Sequence, residues 1–214
     1  DLLRSIDRFH PVPDVPERAS SWAEWLYFNG RSAEARFYLT FMVGPRQRGG
    51  ISSGRVSGVR LQLDRGGEIE SFTAAALLTD DDVARAPELT IGNNHVRLEG
   101  GRYVASLDLR SSRGRRMTGT ISIDGSPERL MPPVEIFGAR GWRTGYVVPV
   151  MSGTLNGSLD IDGVRISLDS GVGYHDHNWG FWEGVSWQWG QVHHEDLSFL
   201  YGRVFPPADA ADPE

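Results

Sequence analysis

Apolar residues occupy every second position in many short segments of this chain, and glycine-rich or polar turns separate these segments. Residues 36–43 show the pattern most clearly, with Phe37, Leu39, Phe41 and Val43 at alternate positions. A repeat of two residues is typical of a β-strand that buries one face. The pattern predicts strands at residues 22–30, 36–43, 56–63, 69–78, 89–91, 95–98, 103–109, 117–123, 142–150, 157–161, 164–168, 186–192 and 197–205.

The even spacing of these segments, without a helical repeat of useful length, predicts an all-β fold. We expect an antiparallel, lipocalin-like β-barrel over residues 21–205, because closing a barrel removes sheet edges and its interior can form an aromatic-lined pocket. Proline-rich residues 1–20 predict an extended lead-in across the outside of the barrel. The sequence of residues 206–214, which is rich in proline, alanine and acidic residues, predicts a linker. The Asp162-Gly163 pair predicts a two-residue hairpin turn.

Composition excludes several classes of protein. The chain has no cysteine and no lysine, which excludes disulfides, cysteine-ligated metal centres and Schiff-base chemistry. The net charge is −6 and the arginines are scattered, so the sequence does not predict the positively charged surface that nucleic-acid binding requires. No apolar run approaches the roughly 20 residues of a membrane-spanning helix. We therefore expect a soluble domain, in either the cytoplasm or the periplasm and cell envelope, and peripheral membrane association stays open.

Residues 173–180 read Gly-Tyr-His-Asp-His-Asn-Trp-Gly. An ordinary strand does not need so many polar and aromatic side chains so close together, so this stretch indicates a functional site. If this stretch is extended, successive side chains point to opposite sides. One side then carries Tyr174, Asp176 and Asn178, and the other carries His175, His177 and Trp179.

The same stretch lies in an aromatic part of the sequence, because four of the seven tryptophans fall between residues 179 and 189. Burial against apolar surface disfavours the charged form of an acid, so a carboxyl group there can act as a proton donor. The alternative is a polar corner that closes the barrel and has no chemical role. Glu24, between Trp22 and Trp25, is a second candidate site residue. The alternative is an ordinary surface glutamate at the end of a strand.

Residues 173–180, together with Glu-Trp-Leu-Tyr-Phe-Asn-Gly at 24–30, resemble the AttH-like lipocalin superfamily, which includes the carotenoid 1,2-hydratases (hydroxyneurosporene synthases). The resemblance implies two lipocalin-like barrels in tandem. This chain would then cover the N-terminal barrel and reach the connection to the second. It further implies a hydrophobic small-molecule partner and neither a metal nor an organic cofactor. Fungal relatives catalyse intramolecular Diels–Alder cyclisations of polyketides.

The resemblance also suggests residue roles. Tyr174 and Asp176 are similar to a tyrosine and an acidic residue that are thought to serve proton transfer in the hydratases. The hydratases also use a histidine and a tryptophan in the strand that here reads Gly-Tyr-Val-Val-Pro at 145–149, and neither is present. This departure argues against water addition to a carotene and points to a less specialised branch.

The first functional hypothesis is an enzyme that protonates or cyclises an unsaturated terpenoid, carotenoid or polyketide, as a hydratase, cyclase or isomerase. Asp176 would be the acid, and Tyr174 and His177 would orient or recharge it. The residues expected to bind the substrate are Glu24, Trp25, Tyr27, Asn178, Trp179, Trp187 and Trp189.

Two other hypotheses remain open. A lipid or pigment carrier would need the same pocket without a poised acid. A metal hydrolase would use the histidines of both polar stretches, since His-x-His on a strand places two imidazoles on one face. Those histidines are His175, His177, His193 and His194.

Overall fold

The computed structural model describes residues 2–46, 54–125, 129–194 and 197–211. Within these ranges the chain is nearly all antiparallel β-structure, as expected from the sequence, with two short α-helices, α1 (Leu2–Ile6) and α2 (Asp80–Val83), and a single turn of 3₁₀-helix at Ala19–Ser21. The strands are β1 (Trp22–Arg31), β2 (Arg36–Arg46), β3 (Arg55–Arg65), β4 (Glu68–Leu78), β5 (Leu89–Ile91), β6 (Asn94–Glu99), β7 (Arg102–Ser111), β8 (Arg116–Asp124), β9 (Met131–Phe137), β10 (Arg143–Ile161), β11 (Val164–Ser167), β12 (Gly171–Phe181), β13 (Ser186–His194) and β14 (Leu197–Phe205). Neither helix has the length or the apolar character needed to cross a membrane.

Eight of these strands close into a barrel. Their order around the barrel is β1, β2, β3, β4, β7, β8, β10 and β12, and β12 pairs again with β1. Closure depends on the long strand β10, which pairs with β12 on one side and with β8 on the other. This confirms the predicted barrel and is consistent with a lipocalin-like one. Strands β13 and β14 form a separate two-stranded sheet, which we call the hairpin.

The barrel interior is filled with apolar side chains. Alternate residues of the barrel strands, among them Leu26, Phe28, Leu39 and Phe41, are buried in one continuous core. Such side chains drive folding by leaving water, and they occupy the interior where we expected a ligand pocket. The cavity of interest instead lies outside the barrel wall, beneath the hairpin.

Residues 2–7 depart from the extended lead-in that the sequence predicted for residues 1–20 on the outside of the barrel. Residues 2–6 form α1, Leu3 belongs to the barrel core, and the side chain of Asp7 is fully buried. The apolar face of α1 explains the difference, because Leu3 gains more by entering the core than by lying on the surface.

The C-terminal residues that are described also pack against the barrel. Ala210 is buried beside Trp22 and Trp142, and Asp209 forms an ion pair with Arg18 at 2.6 Å. Residues 212–214 of the predicted linker lie outside the described residues. Part of the predicted linker is therefore folded onto the barrel.

Strand β9 was not predicted, because Pro132 and Pro133 argued for a connection. Among the residues that the structure describes, β9 pairs only with β10, so it is an edge strand, where proline is tolerated. The predicted hairpin turn is confirmed, since Asp162 and Gly163 both have positive φ angles, of 54° and 87°.

We predict that Leu39→Ala lowers the free energy of unfolding by about 2–5 kcal/mol, because it leaves a cavity in a filled interior. Leu77→Ala removes the same atoms from a side chain that is 44% exposed, and should change the free energy by less than about 1 kcal/mol. Urea denaturation of both variants measures the difference. Equal losses in the two variants would contradict a packed interior.

Candidate functional site

Strand β12 lies between β1 and β10 in the barrel wall, and both of its faces are covered. Tyr174, Asp176 and Asn178 point outward under the hairpin, whereas His175 and His177 point into the barrel. The sequence predicted this division. The polar motif therefore forms two separate groups on opposite faces of one strand.

The outer group is centred on the carboxyl of Asp176, which is only 3% exposed. Asn178 donates a hydrogen bond from Nδ2 to Oδ1 at 2.7 Å, and the Tyr146 hydroxyl donates to Oδ2 at 3.2 Å. The hydroxyls of Tyr146 and Tyr174 are also hydrogen-bonded to each other. Since the Tyr146 proton points to Asp176, Tyr174 donates to Tyr146. The three residues form a directed chain of hydrogen bonds that ends at the carboxyl.

Burial sets the protonation of this group. It raises the pKa of Asp176 to about 6, although the nearby hydroxyls of Tyr174 and Tyr146, the amide of Asn178 and the charge of His175 oppose it. Burial and the charge of Asp176 also raise the pKa values of Tyr146 and Tyr174, so both phenols stay protonated. Asp176 therefore changes its charge near neutral pH, and its neighbours remain hydrogen-bond donors.

The hairpin covers the outer group through one tryptophan. Trp189 donates from Nε1 to the Tyr146 hydroxyl at 3.2 Å, and its ring packs against Tyr27 and Tyr174 with centroids 5.9 and 5.8 Å away. A second link joins β1 to the hairpin, where Asn29 Nδ2 donates to Gln191 Oε1 at 3.0 Å. These contacts hold the hairpin above the barrel wall and leave space on either side.

That space is an aromatic cleft, which we call the hairpin cleft. On the side of β2 and β3 it has a volume of about 750 Å³, and Asp176 lines it. On the side of β9 and β10 a smaller part of about 270 Å³ is lined by Tyr146. Both parts are lined by Trp25, Asn178, Trp182, Trp187 and Trp189.

A larger cavity of about 960 Å³ lies elsewhere, among charged residues that include Arg65, Glu70 and Arg115. It has no aromatic lining and no contact with the polar motif, so an apolar ligand fits the hairpin cleft better.

The inner group is a network of buried ions. His177 contacts Asp7 Oδ1 from Nδ1 at 2.8 Å and Glu24 Oε1 from Nε2 at 2.8 Å. His175 contacts Asp7 Oδ2 from Nε2 at 3.0 Å and the carbonyl oxygen of Tyr27 from Nδ1 at 2.9 Å. Every one of these oxygen atoms accepts, so the ring nitrogens that face them donate.

The pKa values of the inner group follow from these contacts. Burial disfavours a charged ring, but hydrogen bonds to Asp7 and Glu24 outweigh it and raise the pKa of His177 to about 9. Burial acting alone would also raise the pKa of Asp7, but the charges and hydrogen bonds of His175 and His177 hold it below its ordinary range. The inner group is therefore an ion-paired network.

The structure brings most of the predicted site residues into one place. Asp176 and its neighbour Tyr174 lie beneath the hairpin. The predicted binding residues that line the hairpin cleft are Trp25, Tyr27, Asn178, Trp187 and Trp189.

Three predicted site residues lie elsewhere. His177 and Glu24 belong to the inner group and contact each other rather than Asp176, so His177 cannot recharge that acid directly. Trp179 packs in a second core with Trp142, and its ring crosses β10 at Gly145, where a Cβ atom would lie 2.0 Å away. The reason is the same in each case, since alternation along β1 and β12 turns these side chains away from the cleft.

Sequence reasoning missed Tyr146 and Trp182, which complete the outer site, and Asp7, which completes the inner group. Tyr146 lies in a strand that the sequence predicted, directly opposite Asn178. The signal available in the sequence was a tyrosine within a predicted strand, although the sequence does not show that this strand pairs with the polar motif. No local pattern links Asp7 to the motif, because the contact spans most of the chain.

The four histidines of the metal-hydrolase hypothesis are not brought together in the described part of the chain. His175 and His177 are buried in the barrel, whereas His193 and His194 are exposed on the hairpin. His193 contacts Ser152 and Ser198 instead. The two hairpin histidines therefore do not fold back onto His175 and His177.

A scan against protein-family models finds no match to this chain, and a search of the curated proteins finds none. The likeness to the AttH-like superfamily therefore rests on the motifs at 24–30 and 173–180.

We predict that Asp176→Asn stabilises the protein at pH 8. The ordinary pKa of 3.8 rises to about 6 on folding, so the stability from the protonated form is complete below pH 3.8 and is lost as pH rises through 6. An amide avoids this loss, which amounts to about 3 kcal/mol at most. Urea denaturation should show a gain at pH 8 that shrinks at pH 4. A gain independent of pH would contradict the raised pKa.

Proposed function

We propose that the protein is an enzyme that needs no cofactor at this site and acts on a hydrophobic, unsaturated substrate of the terpenoid, carotenoid or polyketide class. The reaction would be an acid-assisted hydration, isomerisation or cyclisation in the hairpin cleft. One observation carries the proposal: the buried carboxyl of Asp176, with a pKa of about 6, borders a cleft walled by tryptophans. A raised pKa beside an apolar cavity is typical of catalytic acids.

The proposed first step transfers a proton from Asp176 to one carbon of a substrate double bond. The π electrons form the new C–H bond, and the neighbouring carbon becomes a cation. Indole faces such as those of Trp25 and Trp189 can stabilise that cation by about 0.5–2 kcal/mol each. Attack by water followed by loss of a proton gives hydration, and loss of a neighbouring proton gives isomerisation. Attack by a second double bond forms a ring and a new cation, and loss of a proton from that cation completes cyclisation.

The phenols support this chemistry in two ways. Tyr146 and Asn178 fix the orientation of the Asp176 carboxyl through the hydrogen bonds described above. The chain from Tyr174 through Tyr146 to Asp176 is also a route by which a proton can return to the carboxylate. In a pericyclic cyclisation, the cleft would hold the reacting carbons together while a Tyr146 or Asp176 proton polarises a carbonyl.

The second candidate function is the binding and transport of a lipid or pigment without turnover. The aromatic lining of the hairpin cleft supports it as well, because apolar burial alone provides affinity. A carrier does not require an acid that changes its charge near neutral pH, whereas the proposed enzyme does. Asp176 therefore separates the two functions.

We predict that Asp176→Asn lowers turnover at least about 100-fold and leaves ligand affinity nearly unchanged, since a general acid contributes mainly to the transition state. Substrates are first sought among hydrophobic molecules that an organic solvent extracts from the purified protein. Linear polyenes in detergent micelles serve as further probes. Mass spectrometry then detects the addition of one water or the formation of an isomer, and tryptophan fluorescence measures affinity.

Asp124→Asn is the matched control, because it removes a carboxylate that pairs with Arg102 on the surface. It should keep full turnover. If wild type and Asp176→Asn bind a ligand equally well and neither converts it, the carrier function replaces the enzyme.

We also predict that turnover falls about tenfold per pH unit above pH 6, because only the protonated form of Asp176 donates. Initial rates between pH 5 and pH 9 measure this dependence. A rate that stays constant, or rises, through this range would exclude Asp176 as the acid.

A further inference from the structure

His10 extends the inner group, because both its backbone N–H and its ring contact the carboxylate of Glu24. His10, Glu24 and His177 each offer one ligand atom, and these three atoms all lie within 4.8 Å of one another. They come from the N-terminal segment, from β1 and from β12, which are far apart in the sequence. Two imidazole nitrogens and one carboxylate oxygen converge on a single point at the edge of the barrel core.

We propose that His10, Glu24 and His177 form a binding site for a divalent metal ion of the zinc type. Two histidines and one glutamate are a ligand set that zinc accepts, and they also suit other first-row divalent ions. The softer thiolate ligands are absent from the sequence, and the hard ions calcium and magnesium prefer oxygen ligands alone. Three protein ligands leave a coordination position for water.

The neighbours of His177 supply an independent argument. Nδ1 of His177 faces the carboxylate of Asp7 at 2.8 Å, so this nitrogen keeps its hydrogen, and a metal ion would bind at Nε2 by displacing the proton that Nε2 now shares with Glu24. Histidine ligands usually donate their second N–H to such a carboxylate or carbonyl, which fixes the tautomer and the ring orientation. Asp7 is itself held by His175 Nε2 at 3.0 Å. The support that a metal-binding histidine needs is therefore already in place.

Charge and access also fit a cation. Glu24 and Asp7 place two carboxylates in a buried region, and a divalent ion would replace the positive charge that His177 loses with its Nε2 proton. Glu24 Oε1 now lies 2.7 Å from His10 Nδ1 and 2.8 Å from His177 Nε2, as expected for hydrogen bonds. Ligands of a tetrahedral zinc ion are about 3.4 Å apart, so the donors must separate slightly.

His10 is the ligand that can move. Its side chain is 36% exposed and stacks on Trp179 with a centroid distance of 3.9 Å, whereas Glu24 and His177 are buried. A small shift of this ring opens the site and gives the ion a path from solvent. A bound ion would fasten the N-terminal segment to the barrel. The site lies on the opposite face of β12 from Asp176, so it does not depend on the proposed enzymatic function.

The test uses tag-free protein titrated with Zn²⁺ in competition with a chromogenic chelator. We expect one Zn²⁺ per chain for the wild type and a rise in melting temperature on binding. His10→Ala should weaken binding at least about tenfold, since it removes one of three ligands. His194→Ala removes an exposed histidine of the hairpin and should leave the affinity unchanged.

Glu24→Gln should abolish binding, and far-UV circular dichroism shows whether this buried variant folds. His10→Ala changes a half-exposed side chain, so it decides the question if Glu24→Gln does not fold. The proposal is overturned if the wild type binds no stoichiometric Zn²⁺, if His10→Ala keeps the wild-type affinity, or if His194→Ala is the variant that loses the ion.

Discussion

The burial of β12 on both faces is the constraint on which the rest of this structure depends. A strand in an antiparallel sheet commonly has one face in water, but here the barrel core covers one face and the hairpin covers the other. Buried polar groups need hydrogen-bond partners, and each group of the motif has them. A shift of one residue in the pairing of β12 would exchange the two faces and leave both groups without partners.

The two buried aspartates of this region show how partners decide charge. Asp7 lies between two histidine rings and keeps its negative charge, because each ring donates to it. Asp176 receives hydrogen bonds from the neutral phenol of Tyr146 and the amide of Asn178, which oppose the effect of burial only in part. An aspartate against the inner face of β12 therefore stays ionised, whereas an aspartate on its outer face changes its charge near neutral pH. Separation by a single strand allows both states to coexist.

Much of the fold could be predicted because alternation is a local signal. The strand at 36–43, the Asp162-Gly163 turn and the division of residues 173–180 into two faces all follow from a few neighbouring residues. The same alternation should have separated His177 and Trp179 from Asp176, and treating the motif as one site placed them wrongly.

Contacts between distant parts of the chain could not be predicted in this way. Tyr146 meets Asp176 because β10 pairs with β12 in one particular register, which no short pattern specifies. Asp7 reaches His175 and His177 only because α1 packs into the end of the barrel. Glu24 was a predicted site residue because tryptophans lie on both sides of it in the sequence, but its side chain belongs to the inner group and not to the cleft. Long-range pairing decides these positions.

The hairpin also covers the path by which the proposed ligand would enter the cleft. In the described part of the chain, β13 and β14 pair with each other and with no barrel strand, so they are held to the wall by side chains such as Trp189 and Gln191. Elements with few ties can open locally at much lower free energy than the whole fold. Local opening of the hairpin would therefore expose Asp176 without disturbing the pairing of the barrel strands.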